Sequence, residues 1–182
     1  MVVCLVLTLT AAYPGLSAVV PSPEEERFTE FWILGPDHKP EGYPFNVKSG
    51  ESQEPLYLSV QNHLGRTAYY LVYTKIRNQT QLPANRTIAA PLQPIYEFRF
   101  FLSNDGEWEK PVIFSLSGQP NKITSISING LTFPLTSSST WNNTREGFYY
   151  QLMFELWIYN QTQNDFQYHN RYVSIWLNVT SD

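Results

Sequence analysis

Apolar and polar side chains alternate along most of the chain after residue 27, with the period of two that is typical of β-strands. The alternation is clearest in four segments, whose apolar faces are Ala68-Tyr70-Val72-Thr74-Ile76, Tyr96-Phe98-Phe100-Leu102, Phe148-Tyr150-Leu152-Phe154-Leu156-Ile158 and Val173-Ile175-Leu177-Val179. Shorter strands are predicted at 28–34, 56–62, 110–116 and 123–128. Turn-forming sequences such as Asn129-Gly130 separate the segments, and no stretch beyond residue 26 has a convincing helical period. We therefore expect an all-β fold, an antiparallel β-sandwich of the immunoglobulin-like kind with about eight strands.

The longest predicted strand carries aromatic residues with polar neighbours on the side opposite to its apolar face. This side comprises Tyr149, Gln151, Met153, Glu155, Trp157 and Tyr159, and the last strand adds Tyr172, Ser174 and Trp176. Such rings can stack on sugars or receive a partner's side chains, unless a loop or a second layer covers them. The candidate ligand or partner face is Tyr149, Gln151, Glu155, Trp157, Tyr172 and Trp176, with Trp108 and Trp141 as further exposed aromatic residues.

The N-terminus forms a separate hydrophobic segment. Residues 2–20 carry no charge, and these nineteen residues would span about 28 Å as a helix, close to the bilayer core of about 30 Å. A membrane helix fits best. A cleaved signal peptide is the alternative, although no basic residue precedes the run and Leu16 before Ala18 is a poor cleavage site. The predicted organisation is a membrane helix over 1–20, a polar linker over 21–26 and an extracytoplasmic domain over 27–182.

Five Asn-x-Thr sequons, the acceptor sites of N-linked glycans, follow the hydrophobic run. Their asparagines are Asn78, Asn85, Asn142, Asn160 and Asn178. The sequons predict that the domain is extracellular, because glycans are added to the surface of exported chains. If Leu177 and Val179 point inward in the last strand, Asn178 points outward, as a glycan requires.

The composition argues against several classes of function. Twelve Lys and Arg against sixteen Asp and Glu give a net charge of −4, without the basic face of a nucleic-acid-binding protein. One cysteine and three scattered histidines, His38, His63 and His169, offer neither a disulfide framework nor metal-ligand spacing. We therefore expect no nucleic-acid partner, metal, cofactor or catalytic residue. Glu97 and Glu155 are the carboxylates within the long aromatic strands, and a glycan-acting envelope enzyme that uses them is an alternative.

Several segments are similar to a known family. Phe28-Thr-Glu-Phe-Trp-Ile-Leu-Gly35-Pro36, followed by Gly42-Tyr-Pro44, resembles the start of the extracytoplasmic part of an archaeal membrane-protein family known as domain of unknown function 1616. Val60-Gln-Asn62-His63 leading into Tyr70-Leu-Val72 looks like its next strand and turn, and 172–179 like its final strand. The resemblance implies an archaeal, C-terminal extracytoplasmic domain. Because members carry several membrane helices, it also implies a shortened relative or a fragment. It implies no activity.

These patterns together predict a non-catalytic, glycosylated β-sandwich domain that is tethered to the cell membrane through residues 2–20. It would act in envelope interaction or assembly, with a protein or carbohydrate partner at the cell surface. A secreted structural subunit of the filament or surface-layer type, whose N-terminal segment is removed or pairs with a neighbour's open sheet edge, is the alternative.

Overall fold

The described part of the molecule is all-β. A computed structural model describes residues 26–180, and the regular elements in this range are strands. The predicted membrane helix over 1–20 lies outside the described residues, as does the linker up to residue 25. Within residues 26–180, no helix has the length and apolar character needed to cross a membrane.

Twelve strands occur between residues 26 and 180. They are β1 (Phe28–Leu34), β2 (Asn46–Lys48), β3 (Leu56–His63), β4 (Ala68–Asn78), β5 (Tyr96–Leu102), β6 (Glu107–Val112), β7 (Phe114–Gln119), β8 (Lys122–Ile128), β9 (Leu131–Ser138), β10 (Trp141–Asn142), β11 (Gly147–Asn160) and β12 (Asp165–Thr180). All eight predicted segments are extended, although 110–116 is divided between β6 and β7.

The strands form three sheets whose apolar faces meet in one core. The largest sheet has the order β2-β12-β11-β4-β5 with β10 beside β11, and the smaller sheets have the orders β1-β3-β6 and β7-β8-β9. Neighbours are antiparallel except β2 and β12, which are parallel. The core takes buried side chains from all three sheets, and Phe154 at the centre of β11 is fully enclosed. The arrangement is consistent with a β-sandwich, and the predicted apolar faces of β4, β11 and β12 line the core.

Strand boundaries differ from the prediction where tertiary pairing decides them. The segment 110–116 belongs to two sheets, because the chain crosses between them at Ile113, whose N–H donates to Asn129 Oδ1 at 2.9 Å. The strands β2, β9 and β10 were not predicted. The strand β2 has only three residues and β10 only two. The strand β9 contains Pro134, a residue that is tolerated there because β9 lies at a sheet edge.

A two-residue bulge interrupts the β11–β12 hairpin. Leu156 pairs with Arg171 while Trp157 pairs with Tyr168, so His169 and Asn170 are extra residues on β12. Asn170 has a φ of 56°, a conformation that asparagine adopts more readily than most residues. The bulge turns His169 toward the neighbouring sheet, where its Nε2 lies 2.9 Å from Thr29 Oγ1 on β1.

Candidate functional site

The structure covers much of the predicted outer face of β11. The chain between β4 and β5, which we call the covering segment (residues 79–95), lies over this face, and Met153 packs with its Ala84 and Ala90. Gln151 and Glu155 are more than nine-tenths buried. These two positions of the predicted ligand or partner face are therefore internal.

Tyr149, at the other end of the same face, is also internal. Its side chain is only 4% exposed, its ring packs 5.9 Å from that of Phe45, and its hydroxyl donates to the Arg145 carbonyl. The alternation predicted correctly which side of β11 these residues occupy, but it could not reveal that distant loops lie over them.

A buried ion pair anchors the covering segment to the sheet. Lys75 Nζ lies 2.8 Å from Glu155 Oε2, and the two side chains are 4% and 0% exposed. The Ala90 N–H donates to Glu155 Oε1 at 2.7 Å, and the Ala90 carbonyl accepts from Lys75 Nζ at 2.8 Å. Both charged groups are thus engaged in holding the loop against β4 and β11.

One of the remaining predicted face residues on β12, Trp176, packs against a second buried cation. Arg77 Nε donates to Gln151 Oε1, and the Arg77 guanidinium lies 4.9 Å from the ring centroid of Trp176. Burial lowers the pKa of Arg77. Trp176 is half-buried by this packing, whereas Tyr172 is 36% exposed.

The two strand carboxylates, Glu97 and Glu155, share a face but are separated by β4. Glu155 lies opposite Tyr73 in the register, and Tyr73 lies opposite Glu97, so the two positions are two strands or about 10 Å apart. Glu97 is exposed and accepts a hydrogen bond from Arg99 Nε at 2.8 Å. This bond raises the pKa of Arg99. Each carboxylate is therefore neutralised by its own cation.

A group of packed rings, one of them exposed and three half-buried, lies at one end of the large sheet. We call Tyr69, Phe101, Tyr159 and Phe166, from β4, β5, β11 and β12, the aromatic surface. Tyr69 and Phe101 stack at 4.2 Å with an interplanar angle of 9°, and Phe101 is 71% exposed. Phe166 meets the edges of Tyr69 and Tyr159 at 4.9 and 5.4 Å. The rings hold one another in place and leave flat apolar area in contact with water.

A cavity of about 370 Å³ adjoins the aromatic surface. Its lining combines rings with hydrogen-bonding groups: Arg66, Thr67, Tyr69, Phe101, Tyr159 and Gln161. Flat rings beside polar side chains match the two surfaces of a sugar, whose C–H groups are apolar and whose hydroxyls need partners. The arrangement thus combines the two kinds of surface that carbohydrate binding requires.

Sequence reasoning identified this surface only in part. Tyr159 was expected on the outer face, and the predicted Trp157 lies beside the surface, half-buried against Tyr73 and Tyr168 at 5.4 and 5.8 Å. Tyr69 and Phe101 were missed, although they fall between core residues in the alternation and therefore had to face outward. Phe166 was missed because the predicted last strand did not extend to it, although the two extra residues of the bulge leave Phe166 in phase with Tyr172 on the outer side.

The two further aromatic candidates, Trp108 and Trp141, differ in their exposure. Trp108 stacks on Phe100 at 3.9 Å and packs against the core, so it is not an exposed site. Trp141 is 52% exposed and lies edge-on to Phe148, at 5.2 Å.

Four of the five sequon asparagines form the same turn. The Oδ1 atoms of Asn78, Asn85, Asn142 and Asn160 accept the backbone N–H groups two and three residues later. Asparagine stabilises such turns by itself, so the motif has a structural role in addition to any modification. The amide nitrogens of Asn78, Asn142 and Asn160 donate to Ser138 O, Gln79 Oε1 and Gln167 Oε1. Asn85 is exposed, and its amide nitrogen makes no hydrogen bond with residues 26–180.

Asn178 points away from the core, as predicted. Leu177 and Val179 are buried, and Asn178 is half-buried on the opposite side of β12, which confirms the strand register. Its Nδ2 donates to Asn46 Oδ1 at 3.0 Å. Its Oδ1 is enclosed beside Gly147, where any Cβ would collide with it. The side-chain amide of Asn178 is thus held where β2 pairs with β12, at the edge of the large sheet.

The three histidines lie apart from one another and have separate partners. His38 stacks on Tyr57, His63 Nδ1 lies 2.9 Å from Asp105 Oδ1, and His169 contacts Thr29. Burial, assisted by the charge of Arg171, lowers the pKa of His169 to about 4. Within the described range of the chain, no group of His, Cys, Asp and Glu is arranged to hold a metal ion.

The fold and this surface define an all-β domain with a closed core and a group of packed rings around the exposed Phe101. The chain belongs to the family described as Domain of unknown function (DUF1616), whose sequence profile matches residues 22–126. The match contains β1 to β7, and with them the segments at 28–36 and 60–63 that first resembled the family. The closing strand lies beyond the matched residues. Comparison with curated proteins gives no match.

Similar solved structures are distant in sequence. A chain of the complex between zinc 2-glycoprotein and prolactin inducible protein from human seminal plasma is 10% identical over 87% of this chain and 100% of that chain, with a TM-score of 0.40. The PapD-like domain 7 of human CEP192 is 13% identical over 90% of this chain and 92% of that chain, with a TM-score of 0.34. A β-glucosidase from Listeria innocua is 9% identical over 86% of this chain but only 16% of that chain, with a TM-score of 0.35.

Proposed function

We propose that this chain is a non-catalytic, membrane-tethered domain of the cell surface that binds envelope carbohydrate through its aromatic surface. The observation that carries the proposal is the stacked pair of Tyr69 and Phe101, with Phe101 71% exposed beside a cavity that also presents Thr67 and Gln161. An exposed flat ring next to hydrogen-bonding groups is well suited to a sugar ring. A bound sugar would cover the apolar area that now faces water.

The state of the carboxylates supports a binding role. Glycoside hydrolysis needs one carboxyl group that can donate a proton and a second one across the scissile bond. Glu155 is enclosed with Lys75 and the Ala90 N–H, and Glu97 is paired with Arg99. Neither group faces the cavity beside the aromatic surface.

The location outside the cell is part of the proposal. The uncharged run at 2–20 has the length of a membrane helix, and five sequons follow it. The exposed amide of Asn85 supports at least one of them as a glycan acceptor. We also propose that the sandwich is immunoglobulin-like and that the protein belongs to an archaeal envelope.

Binding is tested with the full-length protein in detergent micelles on a panel of neutral oligosaccharides. Thr162→Ala should be included in every variant, because it removes the sequon at Asn160 beside the cavity and keeps the chain's own glycan out of the site. In this background, Phe101→Ala should weaken binding about tenfold, the loss of one stacking contact and its buried area.

The matched control is Leu131→Ala, which removes an exposed apolar side chain from β9 in another sheet. It should bind like its parent. Failure of the parent protein to bind any sugar, or equal binding by Phe101→Ala, would contradict the carbohydrate role.

The tether is tested separately by alkaline carbonate extraction of native membranes. An uncleaved helix over 2–20 keeps the protein in the membrane pellet. If N-terminal sequencing finds that the mature protein begins near Val19, the preceding residues are a cleaved signal peptide and the proposed tether is wrong.

A further inference from the structure

Three arginines converge on a groove between β1 and β12. Arg27, Arg86 and Arg171 line one cavity of about 490 Å³, and Arg86 and Arg171 also line an adjacent cavity of about 480 Å³. The two cavities share these arginines and Asn170, so they form one continuous groove, which we call the arginine groove. None of its lining residues belongs to the cavity at the aromatic surface.

The positive charge of the arginine groove has no counter-ion among the described residues. All three side chains belong to exposed residues, and none forms an ion pair or a side-chain hydrogen bond with another residue in 26–180. The lining of both cavities contains no Asp or Glu. The acidic residue on the adjoining strand, Glu30, lies 3.7 Å from His63 instead. Three like charges brought together in a chain of net charge −4 repel one another unless an anion lies between them.

The backbone holds Arg86 and Arg171 in place before any ligand arrives. Arg86 lies in the turn that Asn85 Oδ1 closes, and the carbonyl of Asn85 accepts a hydrogen bond from the Tyr168 hydroxyl at 2.8 Å. Arg171 follows the bulge at 169–170, and Arg27 directly precedes β1. Anchored backbone lowers the entropic cost of binding.

We propose that the arginine groove binds a phosphate group, with Arg27, Arg86 and Arg171 as its ligands. A guanidinium is permanently charged and planar, and it forms paired hydrogen bonds to phosphate oxygens. The phosphate belongs either to a soluble phosphorylated compound or to a phospholipid headgroup, since both present the same oxygens. The site is independent of the proposed carbohydrate binding.

The experiment uses full-length protein in detergent micelles with 13C-labelled histidine. Thr87→Ala is included in every variant, because Asn85 lines the groove and a glycan on it would occupy the site. One arm adds inorganic pyrophosphate, and the other replaces part of the detergent by phosphatidic acid, with phosphatidylcholine as the lipid control. His169 lines the groove and reports occupancy, while His38, which stacks on Tyr57 outside the groove, serves as the internal reference.

The His169 signals should move in at least one arm, and that arm identifies the source of the phosphate. Arg86→Gln and Arg171→Gln should each weaken the response about tenfold or more, as expected for loss of a charge-assisted hydrogen bond. Arg145→Gln is the matched control, because it removes one exposed arginine from the turn before β11. The site is refuted if His169 responds in neither arm, or if Arg145→Gln weakens the response as much as Arg171→Gln does.

Discussion

Asn62, in the segment that resembles the family, shows how one buried amide can hold several parts of the chain together. Its Nδ2 lies 2.8, 2.9 and 3.0 Å from the carbonyl oxygens of Arg66, Leu102 and Ser103, and its Oδ1 accepts from the Tyr70 hydroxyl at 3.1 Å. The pattern around Asn62 predicted a strand end, but not this network, because two of its partners, Leu102 and Ser103, lie about forty positions away.

The sequons lead to a prediction about which asparagines carry glycans. Asn85 should be modified most fully, because its amide nitrogen is exposed and unbonded among the described residues. Asn178 should be modified least, because its Nδ2 is bonded to Asn46 and its Oδ1 is enclosed. Mass spectrometry of glycopeptides from native protein measures both occupancies.

Asn85→Gln provides the control, since it removes the acceptor and should lower the intact mass by one glycan. A native protein with bare Asn85 and modified Asn178 would contradict the ranking. An absence of glycan at all five asparagines would remove this support for an extracellular location.

At the scale of elements, the alternation in β11 predicts a large cost for truncating its central core residue. Phe154 is fully buried between the sheets, so Phe154→Ala should lower the free energy of unfolding by about 3 to 5 kcal/mol. Urea unfolding measures this change. Phe101→Ala removes the same side chain from an exposed position and should cost under about 1 kcal/mol. A loss below about 1 kcal/mol for Phe154→Ala would show that the inner face has been misassigned.

The covering segment leads to a second prediction at this scale. Lys75→Met leaves Glu155 buried without its cation and should cost about 3 to 5 kcal/mol. The double variant Lys75→Met/Glu155→Leu should recover much of this loss, because it leaves no unpaired charge. Urea unfolding of the wild type, the two single variants and the double variant measures the free energies of unfolding that complete the double-mutant cycle.

The exposed pair of Glu97 and Arg99 is the internal comparison for that cycle. Arg99→Met should change stability by no more than about 1 kcal/mol, because solvent screens both charges. If Lys75→Met were as mild as Arg99→Met, the ion pair would not be the anchor of residues 79–95.

At the scale of the whole molecule, His169 should make the fold sensitive to acid. Its pKa is about 4 in the folded chain and about 6.5 when unfolded, so the unfolded chain takes up the proton first. The stability associated with the neutral ring is therefore fully present above pH 6.5 and is lost as the pH falls toward 4. The loss should reach about 3 kcal/mol. Urea unfolding at pH 7, 5.5 and 4 measures it.

His169→Gln isolates this contribution from the titration of the carboxylates. The amide can still bond Thr29 but does not take up a proton, so wild type should lose more stability than the variant on going from pH 7 to 4. Parallel losses in the two proteins would mean that His169 does not govern the acid response.

The site was harder to predict than the strands. The rings of the aromatic surface come from four strands, and their proximity depends on the order β12-β11-β4-β5, which alternation does not contain. The burial of Gln151 and Glu155 depends on a loop between β4 and β5 whose own sequence shows no period. The predicted last strand began near residue 172, whereas β12 begins at Asp165, so the alternation argument did not reach Phe166 or Arg171.

The sequence by itself determined that this is a β-protein of the family, where its main strands lie and which side of β4, β11 and β12 is apolar. A period of two is a local property of the backbone, so local residues suffice to reveal it. Tertiary structure alone decided which outward residues are covered, which sheet takes each half of 110–116, and which rings and arginines meet. Those outcomes depend on contacts between segments far apart in the chain, where strand order and loop paths, rather than neighbouring residues, set the distances.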